Sequence, residues 1–438
     1  MLQGISEVST GLAAAIAFPL SSAAIELSIA QRSVRAPAHA MTSAKHQGSF
    51  DMAGIRIEGS CDPRFERVKA AFAENFEKRN EYGAAVAVTV AGQPVVDLWA
   101  GHTDKARTQA WARDTIANVF STTKGMTAIC AHRLVDQGKL DLDAPVVRYW
   151  PQFGQAGKEK MPVRMLLNHQ AGLAAIRKKL NDEDMYNWET MASALAAQEP
   201  WWAPGTRHGY HALTIGFLVG EVMRRITGKS VGAYFRDEIA RPLGLDCHIG
   251  LKAGDDNRCA TILASPPPPP DQVNLFEYAT QHPDTVTAYA FNNPATAMKL
   301  GAVNSRAWRG AEIPAANGHT NARALARLYG ALACGGELDG VRILSREGVE
   351  RSHTEESFGK DEVLLVTTRF TTGFMLTKPD DPFGPNPHTF GHPGAGGSLG
   401  IADPDAKLGF GYVMNKMGPY IIVDPRTRAL MDAMYASL

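Results

Sequence analysis

Strand-like segments lie near both ends of this chain, and helical ones lie between them. Residues 84–90 and 95–100 are two Val-rich runs around the turn Ala91-Gly92-Gln93. Residues 370–376, 397–402 and 408–415 again have β character, with turn residues between them. From about 160 to 235 the signals are helical or loop-like. Strands so divided form one sheet only if the two ends meet. The expected fold class is therefore α/β (α+β), one sheet assembled from both termini with a helical domain inserted between them. The expected boundaries are 51–135 and 300–438 for the sheet domain and 136–299 for the helical one.

Helices are expected over 63–80, where Phe65, Val68, Phe72 and Phe76 recur at helical spacing, and from Phe120 to about 136. Others are expected over 213–227 before Gly228, over 322–333 before Gly335-Gly336, and from about 425 onward. Ser265 and the five prolines at 266–270 read as a stiff surface loop.

Composition removes several classes of function. Forty-five Lys and Arg balance forty-five Asp and Glu, so no net field favours a nucleic acid or an acidic membrane. Hydrophobic residues make up 45%, enough to bury a large core. Cys61, Cys130, Cys247, Cys259 and Cys334 form no C-x-x-C pair and no zinc spacing, so neither a disulfide framework nor a structural metal is expected. The apolar run at 12–20 is far below the ~20 residues of a membrane span. Glu7 precedes that run and no Lys or Arg does, which argues against a secretory signal. Residues 1–50 are expected to form a poorly ordered extension, or Met41 to be the functional start, of a cytoplasmic protein.

Four segments could carry chemistry. Gly396-Gly397-Ser398-Leu399-Gly400 matches G-x-S-x-G, but Ile401-Ala402-Asp403-Pro404 cannot begin the helix that motif needs. The last histidine of the chain is His392, so the order Ser…Asp…His is impossible around Ser398. Ser121-Thr122-Thr123-Lys124 is the stronger candidate. On a helix its serine and lysine share a face, with Cβ atoms about 5–6 Å apart. A serine hydroxyl needs a base, and lysine can be one if it is neutral. Holding it neutral at pH 7 costs roughly 4–5 kcal/mol in water, a shift that burial can supply. This motif opens a helix whose Met126, Ile129, Cys130 and Leu134 must be buried. Tyr210, in Pro204-Gly205-Thr206-Arg207-His208-Gly209-Tyr210, precedes another apolar helix and can reach a pocket. In Phe390-Gly391-His392-Pro393-Gly394-Ala395-Gly396-Gly397-Ser398, the glycines leave backbone N–H groups uncovered for a ligand or an oxyanion.

Taken in order, S-T-T-K, L-L-N-H-Q-A-G-L at 166–173, P-G-T-R-H-G-Y and G-H-P-G-A-G-G-S resemble the serial motifs of the serine β-lactamase and penicillin-binding-protein superfamily. The stretch from Ala311 to His319 and the ending Gly409-Phe410-Gly411-Tyr412-Val413-Met414-Asn415 are similar to the class C β-lactamase-like carboxylesterases known as family VIII. The resemblance covers about 55–435 and implies a β-lactamase-like antiparallel sheet flanked by helices. It makes Ser121 the acylated nucleophile, Lys124 the group that shares or accepts its proton, and Tyr210 a base or proton relay. The backbone N–H groups of Ser121 and Ala395 become the oxyanion hole, and His392, Gly394 and Gly396 line the substrate. His169 becomes structural, holding a turn. Trp201-Trp202 reads as a wall near the pocket, and His208 and His211 lack the acidic or cysteine partners of a metal site.

Two departures bear on substrate. Where β-lactamases have Tyr-x-Asn this chain has Tyr210-His211-Ala212, and where they have Lys-Thr-Gly it has His392-Pro393-Gly394. Both weaken recognition of a β-lactam and leave acyl transfer intact. The expectation is a serine esterase acting on small, short-chain esters through an acyl-enzyme, with no cofactor. A β-lactamase, a D-amino-acid peptidase and a non-catalytic peptidoglycan-binding scaffold remain as alternatives.

Overall fold

The computed structural model describes residues 48–438 apart from Ala53. Residues 48–50, assigned to the extension by sequence, begin the edge strand Gly48–Met52; the expectations for residues 1–47 and for a start at Met41 lie outside the described residues. One ten-stranded sheet dominates. Its order is Gly48–Met52, Ile55–Cys61, Gln93–Gly101, Gly83–Val90, Leu408–Met414, Leu399–Asp403, Phe390–Pro393, Met375–Leu376, Thr367–Phe370 and Ser357–Lys360. Every neighbouring pair is antiparallel. The two ends of the chain meet where Gly83–Val90 pairs with Leu408–Met414, with Ala87 opposite Gly411.

The central strand shows why the sheet is buried on both faces. Side chains alternate along it with a period of two. Ala85 and Ala87 join the core under Ala322–Ala333, while Ala84, Val86 and Val88 pack with Phe65, Val68, Phe72 and Leu430. Small residues let the first helix come close. A Cβ on Gly409 would lie 2.3 Å from the Gly330 nitrogen, and one on Gly411 2.3 Å from the Ala322 oxygen. Glu66–Lys78 and Pro425–Tyr435 supply the helices of the opposite face.

Between the two sets of strands the chain is mainly helical, with Thr123–Asp136 and Thr214–Thr227 buried nearly all round. Gly228 ends the latter in the left-handed region at φ 68°. The three-residue strand Cys247–Ile249 interrupts this stretch and pairs with Gly318–Thr320, which also pairs with Ala117–Asn118. Residues 370–376 form a hairpin rather than the single strand expected. Phe370 pairs with Met375 around a tight turn closed by Thr371 N–H to the Phe374 carbonyl, and Gly373 sits there at φ 99°. The strand expected over 397–402 begins at Leu399, since Gly397 at φ 119° belongs to the preceding turn. Ser265 to Pro267 lie exposed and without regular structure. Among the described residues no helix is long and apolar enough to cross a membrane.

Candidate active site

Ser121 stands in the turn ahead of the helix Thr123–Asp136, not on the helix itself. Phe120 turns the chain at φ 43°, a conformation that costs energy for a residue with a Cβ. The next turns are tightened by bonds three residues back, from Thr122 N to Val119 O, Thr123 N to Phe120 O and Lys124 N to Ser121 O. That tightening keeps Ser121 and Lys124 facing one another. Lys124 is 2% exposed, and its Nζ lies 3.1 Å from Ser121 Oγ, 2.7 Å from the Ala212 carbonyl oxygen and 3.0 Å from that of Ala315. Burial holds its ammonium well below the usual lysine range. With two N–H groups on the two carbonyls, a neutral amine has its lone pair left for the serine proton.

Tyr210 arrives from the loop before Thr214–Thr227. Lys124 Nζ sits 4.5 Å from the centre of its ring. Burial pushes the phenol up, and the nearby Ser121 side chain pulls it partly back. The ring lies 6.2 Å from that of Phe370 at only 9°, and 5.1 Å from that of His169. Its main-chain N–H donates to Asp361 Oδ1 at 3.0 Å. Asp361 also accepts from Val363 N, Leu364 N and Thr368 Oγ1, and Thr368 in turn meets His208 Nε2 at 3.0 Å. The strands Ser357–Lys360 and Thr367–Phe370 thus hold the tyrosine loop through one buried carboxyl. Asp361 carries no sequence motif and was not anticipated.

The chain matches the β-lactamase family over residues 68–433. It belongs to that family. It is 40% identical over 383 residues to the esterase/beta-lactamase LipL of Mycobacterium tuberculosis, covering 85% of this chain and 86% of the relative. Among solved structures, a family VIII carboxylesterase is 43% identical with a TM-score of 0.80, over 87% of this chain and all of that one. A penicillin-binding-protein homologue from Caulobacter crescentus is 39% identical at the same TM-score of 0.80, again over 87% of this chain and 100% of the other. The chain is accordingly a hydrolase of the serine β-lactamase/esterase family.

Within this β-lactamase-family fold the glycine-rich turn packs directly against the segment Val119–Thr122, which contains Ser121. A Cβ on Gly394 would lie 2.2 Å from both Ser398 Oγ and the Val119 carbonyl oxygen. Ser398 is buried, donates to Val119 O at 2.9 Å and lies 3.2 Å from Thr122 Oγ1. Its role is to join this turn to the loop carrying Ser121, and a strand follows it, as the sequence requires. Gly396 sits at φ 87° and Ala395 is exposed at the tip. His392 is buried, and burial with the nearby Lys124 holds its imidazolium down to about 3. Its Nδ1 faces the Pro393 carbonyl at 2.7 Å and its Nε2 has no partner among the described residues. The His392 ring is therefore neutral at pH 7.

His169 and His211 are structural ties. His169, at φ 66°, accepts the Gly209 N–H on its carbonyl and the His211 N–H on Nδ1. His211 donates from Nδ1 to Gly209 O at 2.7 Å and accepts Leu173 N–H on Nε2 at 3.1 Å, so neither nitrogen is available to a metal. Trp201 donates to the Ala175 carbonyl and lies tilted against the Tyr289 ring at 5.3 Å, while Trp202 meets His211 edge-on.

Proposed function

We propose that this chain is a serine carboxylesterase that hydrolyses short-chain acyl esters through an acyl-enzyme on Ser121. The observation that carries the reading is the Lys124 amine, buried between two carbonyls and 3.1 Å from the Ser121 hydroxyl. Ser121 Oγ attacks the ester carbonyl while its proton passes to Nζ of Lys124. The tetrahedral oxyanion rests on the N–H groups of Ser121 and Ala395. Tyr210, whose phenol burial keeps protonated, relays a proton to the leaving alkoxide and is recharged from Lys124. Water then attacks the acyl-enzyme by the reverse proton path. His392, Gly394 and Gly396 line the acyl group, in a cleft between the segments 51–135 and 300–438 and the helical segment 136–299. No cofactor enters these steps.

The test is hydrolysis of p-nitrophenyl butyrate. Ser121→Ala is expected to abolish it, and Ser398→Ala to retain it; the opposite result with both proteins folded overturns the assignment. A second, weaker activity on β-lactams is favoured by the likeness to a protein named as both esterase and β-lactamase. Ala212 and neutral His392 remove two polar anchors for such a substrate, so nitrocefin turnover is expected to be far slower than ester turnover. Absence of turnover at high enzyme concentration removes this second reading.

A further inference from the structure

The turn that carries Ala395 is held from behind by the first turn of the C-terminal helix, Pro425–Tyr435. Arg426 is 3% exposed, and its Nη2 donates to the Gly396 carbonyl at 2.8 Å. Thr427 Oγ1 donates to the next carbonyl, that of Gly397, at 2.7 Å. The main-chain N–H of Gly418 adds a second bond to Gly396 O at 2.9 Å. On the inner side, Gly397 N–H closes on Gly394 O at 3.0 Å. That last bond fixes the peptide joining Gly394 to Ala395. Its carbonyl points into the turn, so its N–H, on the opposite edge of the planar group, points out of it.

The guanidinium doing this is itself immobilised. An arginine has five N–H donors, and here each has an acceptor. Nε and Nη2 grip the two oxygens of Asp424 at 2.8 and 3.0 Å. Nη1 reaches Glu81 Oε1 at 3.1 Å and the Lys416 carbonyl at 2.8 Å. The fifth N–H is the one on Gly396. Glu81 is buried and its second oxygen takes the Tyr412 hydroxyl. The contact is too close for any side chain between: a Cβ on Gly418 would meet Asp424 Oδ2 at 1.7 Å, and one on Gly397 would meet Arg426 Nη2 at 3.3 Å.

We propose that Arg426 and Thr427 are positioning residues for catalysis, holding the Gly396 and Gly397 carbonyls so that the Ala395 N–H keeps its aim at the oxyanion. The inference rests on the reading of Ser121 and Ala395 given above. An oxyanion exists only in the transition state and the tetrahedral intermediate. Loss of aim therefore lowers kcat and leaves KM nearly unchanged, whereas a substrate-contacting role would raise KM.

The experiment uses the full chain and p-nitrophenyl butyrate, with Thr427→Val, Thr427→Ser and Ser352→Ala. Ser352 is a buried serine whose hydroxyl bonds the Gly348 carbonyl at 2.8 Å on a separate helix, Arg346–His353, so it reports the effect of losing a buried hydroxyl alone. Thr427→Val is expected to lower kcat roughly tenfold, less than the 10²–10³ of removing an oxyanion donor outright, with KM within about twofold. Thr427→Ser, which keeps the hydroxyl, is expected to restore most of kcat, and Ser352→Ala to leave kcat unchanged. Wild-type kcat in Thr427→Val, an equal loss in Ser352→Ala, no recovery in Thr427→Ser, or a rise in KM alone overturns the proposal. A wild-type protein without Ser121-dependent hydrolysis overturns the underlying reading, and this inference with it.

Discussion

Lys124 is placed where its proton inventory can be read from its neighbours. The Ala212 and Ala315 carbonyls accept two N–H groups and the serine hydroxyl faces the third position. Burial depresses its pKa, and among the described residues no carboxylate offsets it. Arginine at this position keeps donors for the carbonyls but cannot accept a proton. Lys124→Arg is therefore expected to lower kcat by about 10²–10⁴, the usual worth of a general base, with circular dichroism confirming the fold. A wild-type acid limb of kcat/KM well below the ordinary lysine pKa is expected with it, and disappears in the variant. Ser121, Lys124 and Tyr210, the catalytic set proposed above, were recognisable as candidates in the sequence because each sits in a short motif whose residue types suit that chemistry. Asp361, which orients Tyr210 from 151 positions away, was not. An aspartate in a polar run reads as a loop until the fold brings three buried N–H groups to it.

At the scale of elements, the site is a meeting of turns held on rigid supports. The turn at Gly394–Ser398 touches the loop at Val119–Thr122, and both are anchored by strands or helices at their backs. Gly394 is the point of closest approach. Alanine there puts a methyl 2.2 Å from a main-chain oxygen that cannot retreat, because the adjoining segment enters a buried helix. Gly394→Ala is expected to push the two turns apart, lower ester hydrolysis at least about 100-fold, and cost about 1–3 kcal/mol of stability through overpacking. Rates and urea unfolding of the same preparation measure both. Sequence periodicity located most of these supports, and the helix over 322–333 to the residue. It missed the hairpin at 370–376, since the turn there rests on Gly373 at positive φ packing against Ala128 of the helix Thr123–Asp136, a contact between distant segments.

Over the whole molecule, burial of histidine sets the response to acid. Among the described residues His132, His169, His208, His211, His319, His353 and His392 are all pushed below the ordinary imidazole value, with burial as the leading cause. Below about pH 6.5 the unfolded chain takes up protons at these sites and the folded chain does not, so stability falls as pH falls. For His132 and His211 the window runs down to about 4, and for His319 and His392 to about 3. Glu81, Asp361 and Asp381 act the other way, because burial raises them and the folded state then holds the extra proton. Seven histidines outnumber three carboxyls, so the net effect is loss of stability with acid. Each histidine contributes about 1.4 kcal/mol per pH unit inside its window. His132 isolates the effect from the proposed chemistry: it lies on the far part of the helix Thr123–Asp136, with Nε2 2.8 Å from the Thr372 carbonyl. Glutamine there keeps an N–H donor and does not titrate. Urea unfolding between pH 5 and 6.5 is expected to show wild-type stability falling with acid, and His132→Gln falling less steeply by about one proton's worth. Parallel slopes for the two proteins would mean that His132 is charged inside the fold or neutral in the unfolded chain, contrary to its burial.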